Sequence, residues 1–325
     1  MRILQEVWSL VVLGFLLCLM PSCQQNKALV LQTPTRQYQT QQVVLLVIDG
    51  VRFSDTWGDS SYALIPNMAN QMAPQGIFHA KFYNQGKTLT NPGHVALTTG
   101  NYQNLSNNGS EIPDHPSVFH YYLQHTKAPA TQAWIVASKD KLEILAKTNS
   151  QEPAAQFAPS TDCGNNGQGT GYREDAVTVR RAKEIMTRHQ PKLLLINLKD
   201  PDSQAHGEQW QGYLNAIKQS DSYAYELWNW IQQDPFYKNT TTLIITNDHG
   251  RHIGNRFNEH GDLCEGCKHI SLLMLGPDVK RGFIPTQARS QVDVAATIAE
   301  LLNFPIPRRD GEPMLELLRE PARPE

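Results

Sequence analysis

The sequence predicts an α/β fold: a doubly wound, mostly parallel sheet with helices on both faces. Three observations predict it. Five short runs are almost wholly apolar, as strands buried on both faces must be. Amphipathic stretches with apolar residues at three- and four-residue spacing alternate with them. Polar, Asp- or His-bearing residues follow several of the runs directly, where such sheets collect their ligands.

Taken in chain order, the first residues read as an export signal. Met1-Arg2 leads into an apolar run over 7–20 and then Pro21-Ser22-Cys23. The run falls short of the roughly 20 residues that span a bilayer, which favours a signal region over a permanent anchor. Ser22-Cys23 after Leu19 resembles a bacterial lipobox, with Cys23 as the lipidated residue, although Met20 and Pro21 are not the preferred residues and Glu6 dilutes the positive charge. Plain secretion and an uncleaved anchor are the alternatives. Residues 24–42, rich in Gln and Thr and without apolar periodicity, read as a tether, and a single domain covers 43–325.

Within that domain the strand segments are 43–48, 133–137, 193–198, 242–246 and 270–275, and the helical ones 175–188, 210–233 and 292–302. The Gly- and Asn-rich stretch 163–171 reads as a long surface loop. At 325 residues and 40% apolar composition the chain can bury one substantial core. Its 29 Lys and Arg against 31 Asp and Glu lack the basic excess of a nucleic-acid binder, so no nucleic-acid partner is expected. Beyond the leader, Cys163, Cys264 and Cys267 form an odd set. Cys264 and Cys267 could close a tight disulfide or contribute to a structural metal site, or one of them could pair with Cys163.

The chemistry concentrates at the strand ends. Asp49 follows the first run, Asp202 and His206 the third, and Asp248-His249 the fourth, while His260 precedes the fifth. Asp and His are the ligand types of zinc. Singly, each has a plainer reading: Asp49 as a helix cap, Asp248-His249 as a turn, His260 in competition with His252 and His269 as a solvated loop histidine. Their joint occurrence at successive strand ends argues for metal. Thr90-Asn91-Pro92-Gly93-His94 precedes a helical stretch over 95–100, so the Thr90 hydroxyl would sit beside free backbone N–H groups and the positive end of a dipole. Thr90 or Asn91 could equally serve as a simple cap.

The order Asp, Thr before a helix, Asp-x-x-x-His, Asp-His and His resembles the metal-binding signature of the alkaline phosphatase superfamily. The likeness is strongest to its nucleotide pyrophosphatase/phosphodiesterase and Thr-dependent bacterial phosphatase branches, and it covers residues 43 to about 303. The resemblance implies an alkaline phosphatase-like fold and two zinc ions, one on Asp202, His206 and His260 and one on Asp49, Asp248 and His249. It also implies Thr90 as nucleophile and second-site ligand, and Asn91 with Asn107 or Asn108 as phosphate-binding groups. Lys139 and Lys141, directly after the 133–137 strand, resemble the Lys-x-Arg pair that holds a monoester dianion, with Lys in place of Arg. A charged surface turn is the plainer reading of that pair.

The expected substrate is a small-molecule phosphate ester, with monoesters ahead of diesters and phosphonates, and the expected location is exported and membrane-attached. The oligomeric state is left open. Sulfatases are set aside, because no Cys or Ser stands in a Cys/Ser-x-Pro-x-Arg motif, and phosphoglycerate mutases because they use Ser where Thr90 stands. An inactive lipid-anchored binding protein on the same fold is the alternative from another class.

Overall fold

The computed structural model describes residues 37–320, so the export signal, Cys23 and most of the tether lie outside the described residues. The strands are β1 (Gln42–Ile48), β2 (Ile77–Tyr83), β3 (Ala133–Ala137), β4 (Ser160–Cys163), β5 (Leu193–Leu198), β6 (Thr241–Thr246), β7 (His269–Leu275) and β8 (Arg289–Ser290). The helices are α1 (Thr90–Thr99), α2 (Val118–Thr126), α3 (Asp175–His189), α4 (Asp200–His206), α5 (Trp210–Gln233), α6 (Glu265–Lys268) and α7 (Val292–Leu301). One sheet runs β4-β3-β5-β1-β6-β7-β2-β8. The block from β4 to β6 is parallel, and β7 is antiparallel to both β6 and β2.

β1 shows why the central runs are wholly apolar. Val43, Leu45 and Val47 enter one apolar core, packed with α1, α2 and α7, while Val44, Leu46 and Ile48 enter the other, packed with α3 and α5. Successive side chains point to opposite faces, and helices cover both, so residues 43–48 are all apolar. Truncating Leu45 to Ala in such a core would cost about 2–5 kcal/mol.

The apolar runs match strands to within a residue, and three further strands lack that signal. β4 is Ser160-Thr161-Asp162-Cys163, an edge strand only partly buried, and the loop over 163–171 leads off from its end. β2 mixes buried and half-buried residues and exposes Lys81, and β8 has only two residues. The fold also takes in the last residues read as tether. β1 begins at Gln42, and the Thr40 backbone and hydroxyl both donate to Asp278 Oδ2, at 2.7 and 2.6 Å.

Cys163, Cys264 and Cys267 are all unpaired. A Cys163 bridge is excluded by position, since β4 and β7 lie five strand spacings apart, about 24 Å, against the roughly 7 Å a disulfide allows between Cα atoms. Among the described residues no helix is long and apolar enough to cross a membrane.

Candidate metal centre and nucleophile

The carboxyl ends of β1, β5 and β6 lie side by side, which brings Asp49, Asp202 and Asp248-His249 to one edge of the sheet. β1 turns at Gly50, whose φ of +65° favours glycine and whose added Cβ would meet Asp202 Oδ1 at 2.8 Å. That close approach lets the β1 and β5 ends share one site. The segment after β5 is helical as α4, which places Asp202 and His206 one turn apart on the same face.

Asp49, Asp248 and His249 form the enclosed half. Asp49 Oδ2 accepts from Asn197 Nδ2 at 3.1 Å, and Asp248 Oδ1 accepts from the Gly50 and His249 backbone N–H at 3.2 and 3.0 Å. His249 Nδ1 donates to Gly250 O at 2.9 Å, which leaves the lone pair on Nε2. Asp49 Oδ1, Asp248 Oδ2 and His249 Nε2 then remain buried without a hydrogen-bond partner. His249 Nε2 lies 3.6 Å from the first and 3.5 Å from the second. An unsatisfied buried acceptor costs about 1–3 kcal/mol, more when charged, so three of them converging form a donor set that a cation would satisfy.

The second half is more open. Asp202 Oδ1 lies 3.4 Å from His206 Nε2 and 3.6 Å from His260 Nε2, and the two imidazole nitrogens are 2.8 Å apart. His260 Nδ1 donates to Thr88 O at 2.8 Å, again leaving Nε2 with the lone pair. His249 stacks on His260 with ring centroids 3.9 Å apart, so it stands between the two clusters and can serve either. The competing histidines have other tasks: His269 stacks against Phe53 and Tyr83, and His252 pairs with Asp262.

Thr90 is the first residue of α1 rather than the residue before it, and Leu89 is the N-cap, so neither Thr90 nor Asn91 serves as the cap. Lys139, buried after β3, reaches across to it. Its Nζ lies 3.0 Å from Thr90 Oγ1, 2.6 Å from Asp202 Oδ2 and 3.0 Å from Asp49 Oδ2. Lys141 instead donates to Asn107 O and Oδ1, at 2.9 and 3.1 Å, and Asn107 Oδ1 also accepts from the Asn91 backbone N–H at 2.9 Å. With its oxygen engaged, Asn107 keeps Nδ2 as a donor for a ligand. Asn108 is exposed and its Oδ1 accepts from Ser106 and Ser110, so that amide closes its own turn and Asn107 is the asparagine at the start of α1. Both polar atoms of the buried Asn91 side chain lack partners.

Charge in the site is finely opposed. Burial raises the Asp49 carboxyl, Asp248 raises it further, and Lys139 works against them. Burial also disfavours ionised Asp248 and Asp202, yet both stay below the usual carboxylate range, Asp248 through His249 and His94, Asp202 through Lys139, a bond from His206 and Arg251. Burial, then His249, pushes His260 down to about 2, so its imidazole is neutral. Burial likewise disfavours the Lys139 cation, but Asp202, Asp49 and Asp248 outweigh it and hold its pKa above the ordinary lysine range. Burial and then Lys139 bring Lys141 down to about 8.

Several supporting residues carried no role in the sequence reading. Arg251 is fully buried, ion-paired to Asp202 and donating to Gly50 O at 2.9 Å. His94 donates from Nδ1 to Thr90 O at 2.8 Å, lies 3.3 Å from Asp248 Oδ2, and accepts from Asn197 at 3.2 Å. Asn84 and Gln291 both donate to Asp248 O, at 2.8 and 3.0 Å. One signal was present: Asn197 is the single polar residue in an otherwise apolar strand.

Residues 41–304 match the family model described as Sulfatase. The chain belongs to the sulfatase family of the alkaline phosphatase superfamily. Human GPI ethanolamine phosphate transferase 1 is 25% identical over 229 residues, 64% of this chain and 24% of that protein. The chain spans about a quarter of the length of the curated relatives it matches, 24% and 27%. Among solved structures, the phosphonate monoester hydrolase of Silicibacter pomeroyi superposes with a TM-score of 0.64 at 13% identity, over 87% of this chain and 78% of that one. Murine ectonucleotide pyrophosphatase/phosphodiesterase 5 also superposes at 0.64, with 15% identity, over 86% of this chain and all of its own. Hydrolysis of phosphate or sulfate esters is the chemistry of this superfamily, which is metal-dependent, and the Asp/His clusters of this sulfatase-family chain suit a metal ion. The residue that opens α1 beside the clusters is nonetheless Thr90, not Cys or Ser.

Proposed function

We propose that this chain is an exported phosphoester hydrolase that uses Thr90 as nucleophile and holds two zinc ions, with phosphate monoesters preferred and Cys23 as its lipid attachment point. The observation that carries the reading is the Lys139 ammonium 3.0 Å from Thr90 Oγ1, beside three buried, unpartnered ligand atoms. Asp49, Asp248 and His249 would hold one ion and Asp202, His206 and His260 the other. Zinc bound there supplies Lewis-acid stabilisation of the charge that develops on the attacking and leaving oxygens.

The chain's own residues do the rest. Lys139, kept protonated by its carboxylate neighbours, directs an N–H at Thr90 Oγ1 and lowers the cost of forming the alkoxide. Thr90 Oγ1 bonds to phosphorus as the ester oxygen departs and takes up a proton. Water then cleaves the Oγ1–P bond, restoring the hydroxyl and releasing phosphate. The amides of Asn91 and Asn107 are the donors at hand for the three equatorial oxygens, whose charge grows in the transition state. His94 fixes the start of α1 through the Thr90 carbonyl, which holds the nucleophile in register with Asp248.

The preference for monoesters rests on Lys139, because a dianion gains more than a monoanion from a cation near its oxygens. Lys141 is committed to Asn107 and lends that preference only indirect help, which makes phosphodiesters the second reading. The test is a panel of phosphate monoesters, diesters and sulfate esters, assayed on metal-loaded enzyme before and after chelation. Zinc-restored monoesterase activity is expected. A dominant diesterase reverses the ranking, and turnover of sulfate esters alone defeats the proposal.

A further inference from the structure

We propose that His252, Asp262, Cys264 and Cys267 bind one structural zinc ion, separate from the ester-cleaving centre. The four side chains each bring one ligand atom to a common point, all within 4.8 Å of one another. The His252 Nε2 to Asp262 Oδ2 distance is 3.0 Å, and the two Sγ atoms lie 2.6 Å apart as unbonded thiols. Two sulfurs, an imidazole nitrogen and a carboxylate oxygen make a four-ligand set whose chemistry suits zinc over the harder, oxygen-seeking cations.

The local backbone is built for it. Cys264 is the N-cap of α6, and the Cys267 N–H donates to Cys264 Sγ at 3.1 Å, so the short turn points both sulfurs the same way. Gly266 is required for this turn to dock, because a Cβ there would lie 2.4 Å from Arg251 O. Asp262 Oδ1 is separately anchored by the Cys264 N–H at 2.9 Å, which leaves Oδ2 facing His252. Cys267 is buried and Asp262 is exposed, so the cluster has a sealed floor and an open side through which an ion can enter.

The location gives the ion a purpose. The Gly250 N–H donates to Cys267 O at 2.8 Å, and Asp262 O accepts from the Thr88 hydroxyl at 2.6 Å. Thr88 in turn holds His260, so the cluster joins the segment just after His249 to the segment just after His260. A zinc ion there pins both loops that deliver these two histidines. The site uses none of the residues assigned to catalysis and stands whether or not that assignment holds.

The full chain is loaded with zinc, desalted and measured for zinc per chain, alongside Cys264→Ser/Cys267→Ser and His249→Ala. The double cysteine variant is expected to lose one zinc relative to the parent, whatever the total. With cobalt(II) in place of zinc, the parent and His249→Ala show thiolate-to-cobalt charge-transfer absorption in the near ultraviolet, and the cysteine variant does not. Should the double variant fail to fold, Asp262→Asn replaces it, since this side chain is exposed. It is expected to weaken zinc in competition with a chromogenic chelator by about tenfold or more. An unchanged zinc count and affinity in these variants overturns the site. So does a Cys264–Cys267 disulfide found by mass spectrometry of alkylated, unreduced chain purified with zinc present.

Discussion

The two halves of the candidate metal centre are built differently. Asp49, Asp248 and His249 stand at the ends of central strands, fully buried, and their spare atoms are tied down by Asn197, Asn84, Gln291 and backbone N–H groups. Asp202, His206 and His260 sit on a two-turn helix and a loop, and the His206 side chain is 51% exposed. Here the support is Arg251, Thr88 and the Cys264–Cys267 turn. A site made from strand ends is pre-organised by the sheet, whereas a site made from loops depends on whatever holds the loops. The enclosed half should therefore bind its ion more tightly and tolerate less change.

The comparison breaks most sharply at Thr90, the proposed nucleophile. Thr90→Ala should reduce turnover of every ester by roughly a thousandfold or more while metal content and thermal stability stay at parental levels. Turnover surviving in metal-loaded T90A ends the covalent mechanism. Next in size is a paired test of the halves. Asp49→Asn should lose its ion and stay inactive in excess zinc, because a neutral amide replaces a charged ligand in a site closed to solvent. His206→Ala should weaken one ion by about tenfold to a hundredfold and recover activity as zinc is added. Equal rescue of the two variants in a zinc titration would show the halves to be equivalent.

Lys139 bridges the halves, contacting Asp49 and Asp202 together. A charge-assisted contact is worth about 1.5–3 kcal/mol, so Lys139→Ala should lower monoester kcat/KM by about tenfold to a hundredfold and diester kcat/KM much less. Equal losses on both substrates remove the basis for the monoester preference.

The smallest effect concerns Lys141. Its pKa is brought down to about 8, so the charge that supports Asn107 is present below that pH and lost as pH rises through it. Monoester KM should then rise about threefold across that range in the parent, the size of a partly solvated charge contact. Lys141→Met should show a raised KM with no such step. A step that persists in K141M assigns the titration elsewhere.

The sequence by itself determined the central sheet and the identity of the metal-type residues. Strands buried on both faces have to be continuous apolar runs, and residues at their carboxyl ends have to face the ligand crevice, so β1, β5 and β6 and the residues that follow them were legible without coordinates. β4, β2 and β8 were not. An edge strand such as Ser160–Cys163 is half exposed, and hydrogen-bond pairing with β3 rather than hydrophobic burial makes it a strand. Side-chain reach was equally hidden. Lys139 and Lys141 look alike in sequence, yet one donates to Asp202 and the other to Asn107. Only tertiary structure could separate Asn107 from Asn108, or gather His252 and Asp262 around the Cys264–Cys267 turn. Those outcomes depend on which residues, distant in sequence, reach the same few ångströms of space, and no local periodicity encodes that.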